Sequence, residues 1–186
     1  SFTLPSTKTG DTYIQTVGTD TYFYYYAPHN TETKNKKLPT NITVFYDISS
    51  STEKRDRTRE IALLEKYISL CNPKIITVVT FSNDIHEEKI FNSNSISKIK
   101  EYLENQKYDG STNFDSLDFD SYAAKTDEIL LFSDGMNTWG KTISFSEKSK
   151  KFNSSVPVIT INSCSSANHS LLSMLAAKNN GVYVNL

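Results

Sequence analysis

At 186 residues the chain has the length of one α/β domain with a sizeable core, and it does not require a second domain. Twenty Lys and Arg residues against 21 Asp and Glu give a net charge of -1, and the basic residues are spread along the chain, so no footprint for nucleic acid or another polyanion is present. No stretch approaches the roughly 18 consecutive apolar residues of a membrane span, and the start at Ser1 has neither a charged n-region nor an apolar h-region. The segment therefore reads as part of a longer parent protein that this stretch does not insert into a membrane, and its compartment is not written at its amino terminus.

Two cysteines, Cys71 and Cys164, are too few for a disulfide scaffold and lack metal-ligand spacing. The elements below put them at opposite ends of a sheet, too far apart to bond, so two thiols are expected. The sequons at Asn41, Asn153 and Asn168 carry little weight in a chain this rich in Asn and Ser.

In chain order, residues 1 to 20 are polar, broken by Gly10 and Gly18, and read as a tail with at most one edge strand. The domain proper is expected over residues 21 to 186. It opens with Thr21-Tyr-Phe-Tyr-Tyr-Tyr-Ala27, a strand whose aromatics are expected to be buried and which stops at Pro28. A stacking platform for sugars or single-stranded nucleic acid is the minor alternative, since no basic residues interleave the rings. After a polar loop, Ile42 to Asp47 is an apolar strand ending in a carboxylate and followed at once by Ser49 and Ser51.

A helical pattern then runs from about Lys54 to Cys71, with Ile61, Leu64, Ile68 and Cys71 on one face and Glu53-Lys-Arg-Asp-Arg57 as solvated first turns. Pro73 closes it, and Ile75 to Phe81 reads as a strand covered on both faces. A short strand is expected over Ile85 to Phe91, then a helix over Ser95 to Leu103 and a loop, Tyr108-Asp-Gly-Ser-Thr-Asn113. Phe114 to Lys125 is acidic with weak helical spacing, and Glu128 to Ser133 is a buried strand running into Asp134-Gly135. A helix over Thr142 to Phe152, a strand over Val156 to Ile161, a helix over Asn168 to Asn179 capped by Gly181, and a last strand over Val182 to Val184 complete the chain.

Alternating strands and helices argue for a mostly parallel, doubly wound α/β sheet with helices on both faces and an extra N-terminal strand. Ligands of such sheets bind beyond the carboxyl ends of the strands, where Asp47, Ser49, Ser51, Thr112 and Asp134 would converge. An all-oxygen set of carboxylates and hydroxyls suits a hard cation, Mg2+ or Mn2+. Taken singly, Asp47 and Ser49 serve equally well as helix caps, Thr112 as a loop hydroxyl and Asp134-Gly135 as a turn; the conjunction is what points to a metal.

Asp47-x-Ser49-x-Ser51 opening a helix, the Gly-Ser-Thr112-Asn loop and the strand ending Phe132-Ser-Asp134-Gly135 together resemble the von Willebrand factor A domain. The resemblance implies a metal-ion-dependent adhesion site in which Ser49, Ser51 and Thr112 supply hydroxyls and Asp47 and Asp134 act largely through water. Ser50, Ser111, Asn113 and Gly135 would form its rim. Tyr26-Ala-Pro28 just upstream is similar to the segment joining two domains in inter-alpha-trypsin inhibitor heavy chains. Three departures stand out: Ser50 replaces a usual Gly, which would reshape the loop if φ there were positive, the stretch after Thr112 is short and loaded with Asp115, Asp118 and Asp120, and the family's final helix does not follow Leu186.

The function this implies is a non-catalytic binding module whose metal takes an Asp or Glu carboxylate from a protein partner, at the cell surface or in a secreted protein, with a cytoplasmic relative as the alternative. A structural scaffold with a degenerate site is the second reading. A Mg2+-dependent hydrolase is the third: the first strand offers Asp47-Ile-Ser49 without the second Asp of aspartyl-phosphate enzymes, and no P-loop, GxGxxG or GxSxG is present. His29, His86 and His169 are scattered, and Asp118-Phe-Asp120 lacks the Gly and closing Glu of a calcium loop.

Overall fold

The computed structural model describes residues 12–25, 36–139 and 153–186. The chain divides into two compact units, Ser1–Lys37 and Leu38–Leu186. The boundary expected at residue 21 is thus displaced: the aromatic strand belongs to the first unit, not to the α/β domain.

In the first unit, β1 (Thr12–Val17) and β2 (Asp20–Tyr25) form a two-stranded antiparallel sheet with Val17 opposite Asp20. Gly18 takes φ +63° in the two-residue turn, a conformation that only glycine adopts without strain. The expected burial of the aromatics is not found: Tyr22, Phe23, Tyr24 and Tyr25 are all more than half exposed. The described residues of this unit form a single hairpin, with no second layer among them to cover the rings, so the β-favouring pattern alone did not decide burial.

The second unit is built on a six-stranded sheet in the order β5-β4-β3-β6-β7-β8. Its strands are β3 (Asn41–Asp47), β4 (Ile75–Phe81), β5 (Ile85–Phe91), β6 (Glu128–Phe132), β7 (Val158–Asn162) and β8 (Tyr183–Asn185). All pairs are parallel except β4 with β5, which is the charged, exposed edge strand. The near-continuous apolar runs of β3, β4 and β6 have their cause here, because both faces of these strands are covered. On one face α1 (Arg57–Cys71) and α2 (Ile96–Glu104) pack Leu64, Ile68, Ile99 and Leu103 against Ile42, Val44, Ile76 and Val78. On the other, α3 (Phe119–Ala123) and α4 (His169–Lys178) pack Phe119, Leu171 and Leu175 against Phe45, Val79 and Leu131. Beside α1 and over β7 and β8 an apolar pocket of about 120 Å³ remains, lined by Leu63, Tyr67, Ile159, Val182 and Val184 among others.

Three details depart from the sequence reading. Helix α1 starts at Arg57 rather than Lys54, because residues 50–52 form a 3-10 turn and Asp56 caps the helix through the Arg59 N–H at 3.1 Å. The charged run before it is not wholly solvated, since Arg55 is buried. Gly181 is not the left-handed cap of α4; Asn180 holds φ +53°, and the Gly181 N–H closes the end by donating to the Ala176 carbonyl at 2.9 Å. Gly181 has a different constraint, as an added Cβ would stand 1.9 Å from the Val158 carbonyl oxygen. The helix expected over Thr142 to Phe152 lies outside the described residues. Cys71 and Cys164 are free thiols.

Candidate metal site at the carboxyl ends of β3 and β6

Chain order places β4 on one side of β3 and β6 on the other, so the winding reverses between β3 and β6 and opens a crevice at their carboxyl ends. Asp47 ends β3, and Asp134 follows β6 by two residues. Asp47 is fully buried. Its Oδ1 accepts the Ser49 N–H at 2.9 Å and its Oδ2 accepts the Ser133 hydroxyl at 2.6 Å. Burial pushes the Asp47 carboxyl above its ordinary range, while the charge of Arg55 and the bonds from Ser133 and Ser49 act against that push.

The hydroxyls converge as expected. Thr112 Oγ1 donates to Ser49 Oγ at 2.7 Å, and Ser49 Oγ lies 3.2 Å from Ser51 Oγ. Thr52 holds the loop from inside, its hydroxyl shared between the carbonyls of Asp47 and Ser49 at 3.1 and 2.9 Å. Neither Asp47 nor Ser49 caps α1, a role Asp56 fills, so the capping alternative falls away. Ser50 lies in the right-handed 3-10 turn, and the reshaping that a positive φ would force at this Gly position does not arise.

Three loops are stitched together around these groups. The Asp109 N–H donates to Ile48 O and the Ser50 N–H to Gly110 O, both at 3.0 Å, with Gly110 at φ +79°. The Thr138 and Trp139 N–H groups both donate to Thr112 O at 3.0 Å, and Thr138 Oγ1 accepts the Thr112 N–H at 2.9 Å. Asp134 is held through Oδ1, which accepts the Met136 N–H at 2.8 Å, and the Gly135 N–H donates to Ser133 Oγ at 3.0 Å. Gly135 takes φ +72°, and a Cβ there would meet Leu172 at 2.9 Å, so it serves the turn rather than the rim. Ser50 is exposed and Ser111 half-buried, whereas the Asn113 side chain accepts the Asp115 N–H within its own loop and donates to Asn83 O on the turn after β4. Asp118 caps α3 through the Ser121 N–H, which accounts for it without a metal.

Sequence reasoning missed Ser133, Thr52 and Thr138, whose hydroxyls hold Asp47, Ser49 and Thr112 in place and carry no pattern of their own. It also missed Trp139, which is 61% exposed on the loop after Asp134. His86 and His169 each contact a neighbouring hydroxyl, of Ser82 and Tyr183 respectively, and do not share a site. Among the described residues no three His, Cys, Asp or Glu side chains form a metal-binding group. What the structure brings together is the buried Asp47 carboxylate and three hydroxyls, with Asp134 one residue beyond Ser133 on the adjoining loop; oxygen donors of this kind fit a hard, oxygen-preferring cation and leave little for a soft one.

A mostly parallel, doubly wound sheet with such a set near its switch point defines an α/β domain of the open-sheet class. Within that class the chain has the fold of a von Willebrand factor A domain. An aerotolerance-related membrane protein of Bacteroides fragilis with multiple mutations to serine superposes with a TM-score of 0.59 at 14% identity over 79% of this chain and 91% of that one. A von Willebrand factor type A protein of Catenulispora acidiphila gives 0.58 at 12% identity over 79% and 38%. Proximal thread matrix protein 1 of the mussel byssus, in a form with a zinc-occupied MIDAS motif, gives 0.54 at 20% identity over 78% and 43%. At these identities the likeness is one of fold. No family model and no curated protein sequence matches the chain.

Proposed function

We propose that the α/β unit is a non-catalytic, metal-dependent protein-binding module. The observation that carries this reading is the contact of Ser49, Ser51 and Thr112 hydroxyls beside the buried Asp47, on two loops tied to each other and, through Thr112, to the loop after β6. Ser49, Ser51 and Thr112 would hold the ion directly, and Asp47 and Asp134 would balance its two charges. Mg2+ or Mn2+ is the cation the oxygen set favours. Bound there, the ion supplies a Lewis-acidic position for an Asp or Glu carboxylate of a partner protein, a directional contact that acts as a small hot spot within a wider interface. Trp139, anchored by its N–H to Thr112 O, gives the rim an exposed aromatic surface for the partner's neighbouring side chain. Placement at a cell surface or in a secreted protein, and the narrower likeness to inter-alpha-trypsin inhibitor heavy chains, belong to this reading.

A specific observation also favours the scaffold alternative: the three hydroxyls satisfy one another without an ion. Titration calorimetry with Mg2+, Mn2+ and Zn2+ separates the two. Trp139, the chain's single tryptophan, adds an optical signal from the rim. Saturable heat with Mg2+ or Mn2+, lost in Ser49→Ala with the fold intact, supports the module. Partners retained from the native source in EDTA as well as in Mg2+ would make the domain a scaffold.

A further inference from the structure

A pair of opposite charges is buried beside the end of β3, between the Tyr108 segment and the loop after β7, and none of the candidate metal-holding residues bonds to it. The Arg55 side chain has no solvent exposure, and its Nη1 stands 3.4 Å from Glu60 Oε2, which is itself 1% exposed. None of the three guanidinium nitrogens, nor Glu60 Oε2, makes a hydrogen bond. The guanidinium lies 4.5 Å over the ring of Tyr46, the residue before Asp47, and 5.9 Å from the ring of Tyr108, on the loop that bonds Ile48 and Ser50. Glu60 Oε1 accepts the Ser163 hydroxyl at 2.7 Å, which ties the pair to the loop after β7.

A buried ion pair with poor hydrogen bonding is a weak source of stability, since desolvation of both charges offsets their attraction. Its position suggests another role. Guanidinium remains charged in any protein environment. Here that charge stands beside the site: the guanidinium lies over the ring of Tyr46, the Arg55 N–H donates to Thr52 O at 3.1 Å, and the Thr52 hydroxyl in turn holds the Asp47 carbonyl at 3.1 Å, so a positive charge so placed favours the ionised Asp47 carboxyl. A cation that steadies Asp47 when no metal is bound must oppose a divalent cation arriving beside the same carboxylate, because coupling between two such charges is reciprocal. Glu60 lies against that charge and cancels much of it.

We propose that Arg55 and Glu60 are positioning residues forming an internal counter-charge for the metal site. Arg55 steadies the metal-free Asp47, and Glu60 screens Arg55 so that a divalent cation can enter. The proposal rests on metal binding at Asp47, Ser49, Ser51, Thr112 and Asp134, and it adds the device that sets the affinity.

The test is titration of the full chain with Mg2+ and with Mn2+ by calorimetry. In Glu60→Gln the guanidinium is left unscreened, and metal affinity should fall roughly five-fold or more, the lower end of ordinary coupling between sites. The double variant Arg55→Met with Glu60→Gln carries neither charge and should return to within about two-fold of wild type. A role in packing alone predicts the reverse order, with the double variant the weaker. Unchanged affinity in Glu60→Gln, or a double variant as weak as the single one, overturns the proposal. If Glu60→Gln does not fold, Ser163→Ala, which loosens the carboxylate without removing it, must weaken the metal in the same direction, and an unchanged affinity there overturns it equally. A wild-type chain that takes up neither metal overturns the metal site itself, and the counter-charge role with it; wild-type binding with an unmoved Glu60→Gln overturns only the latter.

Discussion

Ser133 joins the two halves of the site. Its hydroxyl donates to Asp47 Oδ2 at 2.6 Å and accepts the Gly135 N–H at 3.0 Å, and all three residues are buried. Ser133→Ala removes both bonds while deleting a single oxygen. A hydrogen bond to a charged group contributes about 1.5–3 kcal/mol, and a buried N–H left unsatisfied costs about 1–3 kcal/mol. Water entering the small space would recover part of this, so a net loss of about 3 kcal/mol is expected. For a domain of this size that corresponds to a melting temperature lower by roughly 6–12 °C. Thermal and urea unfolding in EDTA read the loss directly. Saturating Mg2+ should restore part of it, since a cation takes over the neutralisation of Asp47. A loss below about 1 kcal/mol in EDTA would mean that Asp47 does not depend on Ser133, and that the link between the ends of β3 and β6 is not made through this hydroxyl.

Asp134→Ala should weaken Mg2+ or Mn2+ by at least about ten-fold, whereas Asp118→Ala should leave metal affinity unchanged and cost only the cap of α3, about 1 kcal/mol; equal effects in calorimetry would mean that the loops are wrongly assigned. Gly181→Ala forces a Cβ to 1.9 Å from Val158 O, against backbone atoms that no rotamer change can move, so a loss of about 3 kcal/mol or more is expected, and a wild-type urea midpoint would refute the close approach. The Cys164 thiol is pushed up to about 11 by burial, so its alkylation by iodoacetamide should keep rising about ten-fold per pH unit from about pH 8 to 10, where an ordinary thiol has levelled off; mass spectrometry showing a plateau near pH 9 would refute it.

The sequence by itself determined the periodicities, and through them the layers of the second unit. Apolar runs at Ile42–Asp47, Ile75–Phe81 and Glu128–Phe132 have no polar face, so those strands had to be covered on both sides. The order of strands and helices then placed Asp47 and Asp134 beyond strand ends at the switch point. Tertiary structure decided the rest, wherever the outcome turned on which groups surround a residue. Tyr22 to Tyr25 look like a buried strand, yet on a two-stranded hairpin all four are more than half exposed. Glu53-Lys-Arg-Asp-Arg57 looks like a solvated helix start, yet Arg55 is enclosed by Tyr46, Tyr108 and Glu60, residues from three separate stretches of chain. Ser133 and Thr138 carry no signal in a chain full of Ser and Thr, because a hydroxyl's role is fixed by the partner within 3 Å of it and not by its neighbours in sequence.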